Sequence, residues 1–313
     1  MAVAAESVRP RRRTPLATWV RRHRFEVALV APLVLYMVVL TIAPIVDTVR
    51  ISFTAARDLA FPSLASYTFV FGNEIFQKAV VNTIVVALLS LTLEMSIGLG
   101  VALALHVRFR GRGFVRTVSL IPIGVPTIVS GAVMLLLFSR SGYINSLLFE
   151  FSKLVNLIPG IEWNFQNIGW TVAGGFRTLL VVAIADMWKV LPVVTLIFLA
   201  GLQAIPDEVY EAADVDGATK WQRFWRVTLP LLVPYVTMAL ILRAIDAFRI
   251  FELALVLSGR IEPVMGTFIW NRFRPPANDP FTAAAGSMVL FVIIMIFIVL
   301  YLRFVAARRQ VAL

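Results

Sequence analysis

The sequence of 313 residues contains no cysteine and only two histidines. Without cysteine there is no disulfide framework, no thiolate metal site and no thiol nucleophile, and two histidines leave little for a zinc site or an imidazole-based enzyme. Acidic residues are also scarce, with 18 Asp and Glu against 29 Lys and Arg, which gives a net charge of +11. The basic residues lie in short runs between apolar segments, as loop charges of a membrane protein do, so nucleic acid is excluded as a partner.

What the chain has instead is apolar sequence, which makes up 59% of its residues. That is more than one water-soluble core of this size needs, so we predict an all-α integral membrane protein embedded in a lipid bilayer. Six runs are long enough to cross about 30 Å of hydrocarbon as helices. They are residues 27–46, 79–105, 117–138, 179–202, 231–257 and 284–304.

The first apolar run follows a basic stretch, as the apolar region of a signal peptide does. However, it is about 20 residues long, and no small-residue cleavage site follows it. We therefore predict an uncleaved first span, preceded by a basic cytoplasmic tail at residues 1–26.

The topology is predicted from the distribution of Lys and Arg. With both termini in the cytoplasm, the cytoplasmic segments hold seventeen of these residues and the outer segments nine, so the positive-inside rule favours this orientation. Residues 307–313 are then a second cytoplasmic tail. Residues 139–178 form an outer loop in which 142–148 are predicted as a short helix at the membrane interface.

The cytoplasmic segment 205–230 is predicted to form a helix, a break and a second helix. Pro206 suits a first helical turn, and Asp207 and Glu208 follow it where the positive end of the helix dipole favours carboxylates. Gly217 supplies the break, because glycine adopts positive φ without strain.

The second helix of this segment carries a largely aromatic stripe. Its members recur at i, i+3, i+4 and i+7, and they are Trp221, Phe224, Trp225 and Thr228. On stripe and charge alone, an amphipathic helix lying on the inner leaflet explains the pattern as well as a docking surface does.

The spacing of other residues favours docking. Glu211-Ala-Ala is followed after three residues by Gly217 and after nine more by Val227-x-Leu229-Pro230. This register resembles the EAA loop of ABC-importer permeases, from which only Val227 in place of Ile departs. The resemblance implies a type I ABC importer transmembrane domain with a MetI-like core, whose loop sits in a cleft of a separate ATPase. The loop residues that it implies as ATPase contacts are Glu211, Ala212, Ala213, Asp216, Gly217, Leu229 and Pro230.

Further segments are similar to the carbohydrate branch of these permeases, which includes maltose and trehalose permease subunits. They are Asp186-x-Trp188-Lys-x-x-Pro192, residues 199–203 and residues 243–251, and the resemblance covers roughly residues 25–306, with a permease domain at 27–306. It implies a bacterial or archaeal cytoplasmic membrane and three partners: a second homologous permease, an ATPase dimer and an extracytoplasmic sugar-binding protein.

The chain contains no Gly-x-x-x-x-Gly-Lys-Ser/Thr motif. It therefore lacks the phosphate-binding loop that an ATPase of this kind uses. We expect ATP and Mg on the partner ATPase, no cofactor bound by this chain and no catalysis by it.

Ionisable residues inside the predicted spans are costly, at about 2.5–3.5 kcal/mol each near the bilayer centre. They are Glu94, Asp186, Lys189, Arg243, Asp246, Arg249 and Glu252. Asp186 and Lys189 lie three residues apart, as do Arg243 and Asp246, so each pair is able to neutralise itself. The charges are therefore explained either as structural ion pairs or as the lining of a polar translocation path.

Alignment with the maltose permease family on the loop implies substrate contacts in the spans on both sides of it. The implied positions are Asp186, Lys189, Val190, Val193, Arg243, Asp246, Ala247 and Ile250. The resulting expectation is import of a disaccharide such as trehalose or maltose. The alternatives are an ABC importer for a non-sugar solute, an ion-coupled secondary transporter that uses the charges as a relay, and a membrane-embedded enzyme.

Overall fold

A computed structural model of the chain describes residues 23–311, apart from residues 108, 159, 161 and 260, with side chains described as far as residue 305. The predicted basic tail at 1–26 therefore lies almost entirely outside the described residues, as do the side chains of the predicted tail at 307–313. The described helices are α1 (Arg24–Ser52), α2 (Ala65–Gly72), α3 (Glu74–His106), α4 (Arg112–Ser119), α5 (Ile121–Gly124), α6 (Thr127–Leu137), α7 (Tyr143–Val155), α8 (Phe176–Gln203), α9 (Asp207–Val215), α10 (Lys220–Phe248), α11 (Glu252–Leu257), α12 (Met265–Phe273) and α13 (Pro280–Val311).

Residues up to Ile51 form one structural unit, and residues from Ser52 onward form another. In the second unit, α3 is the central helix, because its residues belong to all three buried apolar clusters. Its buried positions recur every three or four residues from Phe76 to Leu105, so one stripe of α3 packs along its whole length.

Among the described residues, five helices are long and apolar enough to cross a membrane, namely α1, α3, α8, α10 and α13. A sixth span is obtained if Arg112–Gly124 and Thr127–Leu137, which are bent by 100° at their junction, are counted together. These helices confirm the all-α membrane fold. The prediction of a single continuous helix over 117–138 is wrong. Pro126 disfavours helical geometry at the preceding residue, Val125, which is extended with ψ 128°.

The fifth predicted span, 231–257, is wrong at both ends. Helix α10 begins eleven residues earlier at Lys220 and passes into the span through a π-helical turn at Phe224–Thr228. It ends at Phe248, and the chain turns before α11. The turn packs tightly, since a Cβ on Gly266 would lie 2.8 Å from the Ile250 carbonyl oxygen. The apolar run does not reveal this turn, because the sequence is apolar both before and after it.

The outer segment also differs in detail. The short helix predicted at 142–148 is confirmed as a helix, but it extends to Val155. Asn145 fixes it to the following loop, since its side chain donates to the Ile168 carbonyl and accepts from the Ile168 N–H.

Gly201 allows α10 to approach α8 closely. A Cβ at this position would lie 2.6 Å from the Tyr235 ring and 2.8 Å from Leu232. We expect Gly201→Val to cost about 1–3 kcal/mol through overpacking and to lower the apparent melting temperature of the purified protein in detergent. Gly100→Val is the matched control, because no atom lies within 4 Å of a Cβ there. Equal melting temperatures for the two variants would contradict the close contact.

Candidate functional site

A polar cavity of about 380 Å³ lies between α8 and the C-terminal end of α10. Its lining combines charged and apolar side chains from both helices and from the turn that follows α10. The lining residues are Thr127, Asp186, Lys189, Val190, Arg243, Asp246, Arg249, Ile250, Phe251, Glu252 and Leu253. Because α8 and α10 are long enough to span a membrane, the charged side chains that line the cavity need ion-pair or hydrogen-bond partners.

Arg243 is the centre of the ion-pair network beside this cavity, and it is only 2% exposed. Its Nε and Nη2 donate to the two carboxylate oxygens of Glu94, each at 2.9 Å. Nη2 also donates to Asp186 and Nη1 to Asp246, each at 3.2 Å. One guanidinium therefore joins α3, α8 and α10, and the bidentate contact to Glu94 gives the buried charge the geometry that it requires.

Two members of this network, Ser90 and Glu94, are absent from the eight implied substrate contacts, although Glu94 is among the charges inside the predicted spans. The Ser90 hydroxyl lies 3.0 Å from Glu94 and 2.5 Å from Asp186, which places both carboxylates around Arg243. Glu94 is completely buried on the core stripe of α3. Its position as the one carboxylate within that stripe is the sequence signal that identifies it, since a buried carboxylate needs a basic partner.

The predicted pair of Arg243 and Asp246 is confirmed, but the predicted pair of Asp186 and Lys189 is wrong. Asp186 binds Arg243 across the helix interface, and the Lys189 ammonium donates instead to the Val125 carbonyl oxygen at 2.5 Å. That carbonyl lies at the bend before α6, where regular helical bonding is interrupted. Lys189 therefore satisfies backbone at the bend, as polar groups do at broken membrane helices.

The structure brings six of the eight predicted path residues to the cavity: Asp186, Lys189, Val190, Arg243, Asp246 and Ile250. Val193 is not among the lining residues, and Ala247 is buried in the apolar cluster that contains Phe248 and Met265. Ala247 follows Asp246 in the last turn of α10 but faces this apolar cluster, and beyond α10 the cavity wall continues along Ile250 and Phe251.

The segment 205–230 forms the predicted helix, break and helix. Asp207 and Glu208 occupy the first turn of α9, and Pro206 immediately precedes it. Gly217 has φ +73°, in the left-handed region that favours glycine. Thr219 and Gln222 then form a capping box that starts α10.

The predicted contact residues of this segment differ in exposure. Glu211, Ala212 and Asp216 are exposed, Ala213 is buried, Leu229 is half-buried and Pro230 is exposed. Within the described part of the chain, no side chain forms an ion pair or hydrogen bond with the Glu211 carboxylate. Trp221 and Trp225 contact each other, with ring centroids 5.6 Å apart, and both remain exposed.

A second buried carboxylate, Glu262, links three segments near the N-terminal end of α3. It accepts from Lys78 at 3.0 Å, from Asn82 at 3.0 Å and from the Gly175 N–H at 2.6 Å. Burial opposes ionisation of this carboxyl, but the hydrogen bonds from Gly175, Lys78 and Asn82 outweigh it and lower the pKa of Glu262.

Because the folded pKa of Glu262 is lowered, its contribution to stability is present above the unfolded value of about 4.3 and is lost as the pH falls through the folded value. We expect Glu262→Gln to cost about 1.5–3 kcal/mol at pH 7, and the difference from the parent to shrink below about pH 4. Melting temperatures in detergent from pH 3 to 8 measure this difference. The control is Glu150→Gln, which removes an exposed pair with Lys153. A pH-independent difference would contradict the ionised cluster.

Membrane-spanning helices packed around an ion-paired polar cavity define the chain as an integral membrane transport protein. A model of the binding-protein-dependent transport system inner membrane component family matches residues 96–310, and the chain belongs to this family.

Relatives with named functions agree with this classification. The chain is 35% identical to the trehalose/maltose transport system permease protein MalF of Thermococcus litoralis, over 93% of this chain and 96% of that one. It is 33% identical to the trehalose transport system permease protein SugA of Mycobacterium tuberculosis, over 76% and 74%. A chain of a bacterial ABC transporter that imports alginate has the same fold, with a TM-score of 0.74 and 22% identity over 94% of this chain and 99% of that one.

Proposed function

We propose that the chain is the permease subunit of an ATP-driven, binding-protein-dependent importer of a sugar, with a disaccharide such as trehalose or maltose as its cargo. The observation that carries the proposal is the polar cavity between α8 and α10, in a chain 35% identical to a trehalose/maltose permease protein.

The cavity has the chemistry that a sugar requires. Asp186, Asp246 and Glu252 offer acceptors to hydroxyl groups, and Arg249 offers donors. Phe251, Val190 and Ile250 offer apolar surface to the faces of a sugar ring. A mixed wall of this kind allows a polar solute to leave water within the membrane without losing all of its hydrogen bonds.

In this proposal the segment 205–230 docks an ATPase subunit through Glu211 and the neighbouring small residues Ala212 and Ala213. The free Glu211 carboxylate supports this role, since it has no partner among the described residues. The chain would form half of the translocation path, beside a second homologous permease, with both termini in the cytoplasm. An extracytoplasmic binding protein would deliver the sugar.

The proposal is tested by reconstituting the chain with its partner permease, its ATPase and its binding protein in liposomes, and by measuring uptake of radiolabelled trehalose and maltose. We expect uptake to require ATP with Mg, the binding protein and all membrane components. Uptake by the chain alone under an ion gradient would support a secondary transporter instead. ATP-dependent uptake of a non-sugar solute, with neither disaccharide transported, would overturn the assignment of a sugar as the cargo.

A further inference from the structure

A second cavity, of about 410 Å³, lies far from the polar cavity, at the C-terminal end of α3 beside α9 and the start of α10. One side of this cavity is apolar and is formed by Leu103, Val107 and Leu202. The rest of the lining includes the cations Lys220 and Arg223, one turn apart near the N-terminal end of α10, and the aromatic residues Tyr210 and Phe224. The cavity is therefore amphipathic, with its positive charges grouped on one wall.

Three polar groups of this cavity have hydrogen-bonding capacity that the described residues do not fill. Nδ1 of His106 is buried and has no hydrogen-bond partner in the part of the chain that the structure describes. Nη1 of Arg223 binds both carboxylate oxygens of Asp214, at 2.8 and 3.0 Å, and the guanidinium lies 5.5 Å from the centroid of the Tyr210 ring. Its other N–H groups have no hydrogen-bond partner among the described residues. The Lys220 ammonium has no described ion pair. A buried ring nitrogen without a partner is unusual and is satisfied by a further polar group, and His106 lines the same cavity as two cations.

The length of α10 indicates the depth of this cavity in the membrane. Its 29 residues span about 43 Å, whereas the hydrocarbon layer is about 30 Å thick. The polar first turns of α10 therefore extend beyond the hydrocarbon. Trp221 and Trp225 are exposed on these turns, and tryptophan is enriched at the level of the lipid headgroups. The cavity thus opens at the depth where phosphate groups lie.

We propose that this cavity binds an anionic phospholipid. The phosphate accepts hydrogen bonds from Lys220, from Arg223 and from the Nδ1–H of His106, and an acyl chain lies along Leu103, Val107 and Leu202. The wall is complementary to an anionic lipid, because it offers donors to phosphate oxygens and apolar surface to a chain. The site is separate from the sugar cavity and does not depend on the identity of the cargo.

The test is native mass spectrometry of the full transporter released from nanodiscs that contain equal amounts of phosphatidylglycerol and phosphatidylcholine. We expect phosphatidylglycerol to be retained preferentially. A cation near an anionic headgroup contributes about 1 kcal/mol, so Lys220→Gln should reduce the retained fraction about fivefold, and His106→Leu should also reduce it.

Arg226→Gln is the matched control, because it removes an exposed charge of the same helix that does not line the cavity. Retention that is equal for the two lipids, or unchanged in Lys220→Gln and His106→Leu, would overturn the proposal. Displacement of the lipid by soluble glycerol phosphate at the same concentration would also overturn it, because the cavity would then be a site for a free phosphate compound.

Discussion

Replacing Arg243 with glutamine is expected to destabilise the protein by about 3–5 kcal/mol, because it leaves a buried carboxylate without its basic partner. Glu94 is completely buried and receives two hydrogen bonds from this guanidinium. Asp186 and Asp246 lose the same partner. The variant should accumulate poorly in the membrane, and its apparent melting temperature in detergent should fall well below that of the parent.

A double variant separates the loss of charge balance from the loss of packing. Glu94→Gln combined with Arg243→Gln removes the buried pair and leaves two amides of similar size, so part of the stability should return. The control is Arg223→Gln, which breaks the more exposed pair with Asp214 and should cost about 1 kcal/mol or less. If the double variant is no more stable than Arg243→Gln, the Glu94 contact is not the source of the effect.

A substitution at Gly217 is expected to have the second large effect, on transport rather than on stability. Valine at φ +73° costs about 1–2 kcal/mol or more, since a Cβ is disfavoured in the left-handed region. Because no atom lies within 4 Å of a Cβ at Gly217, the cost is backbone strain and not a clash. A docking conformation disfavoured by this amount would be populated about tenfold less. Uptake in reconstituted liposomes should fall accordingly, while the protein still inserts.

Gly217→Asn is the matched control, because asparagine tolerates the left-handed region and should retain most of the uptake. Reversal of charge in Glu211→Lys should abolish uptake, whereas Glu208→Lys, one turn earlier on the same helix, should not. Normal uptake and normal ATPase coupling in both Gly217→Val and Glu211→Lys would contradict the proposed docking role of segment 205–230.

The sequence predicts those features of the fold that depend on local pattern. Apolar runs identify α3, α8 and α13 to within seven residues at either end, and Gly217 with its neighbours identifies the break between α9 and α10. The bend at Val125 and the turn after Phe248 escape prediction, because apolar residues continue on both sides of each. Pro126 is a sequence signal for the bend at Val125. However, proline occurs both in helices that are only kinked and in helices that are interrupted, so it does not distinguish the two.

The polar site is predicted less completely than the fold. Helical spacing pairs Asp186 with Lys189 because they are close along one helix. In three dimensions Asp186 lies nearer to Arg243 of another helix, and Lys189 reaches a carbonyl at the bend. Glu94 is recognisable as a buried charge from sequence, but its partner is not, since helix packing determines which of several cations it meets. Contacts between helices are the information that one sequence does not provide.

The π-helical turn at Phe224–Thr228 has a consequence for orientation. A residue inserted into an α-helix rotates everything beyond it by about 100°, because each residue of the helix turns by that angle. The π-helical turn therefore sets the angle about the helix axis between the side chains of Arg223 and Arg243, which lie on the same continuous helix. Arg223 binds Asp214, and Arg243 binds Glu94. Deleting a single residue within this turn would redirect one of the two guanidiniums, and the helix would remain continuous while losing one of its two anchors.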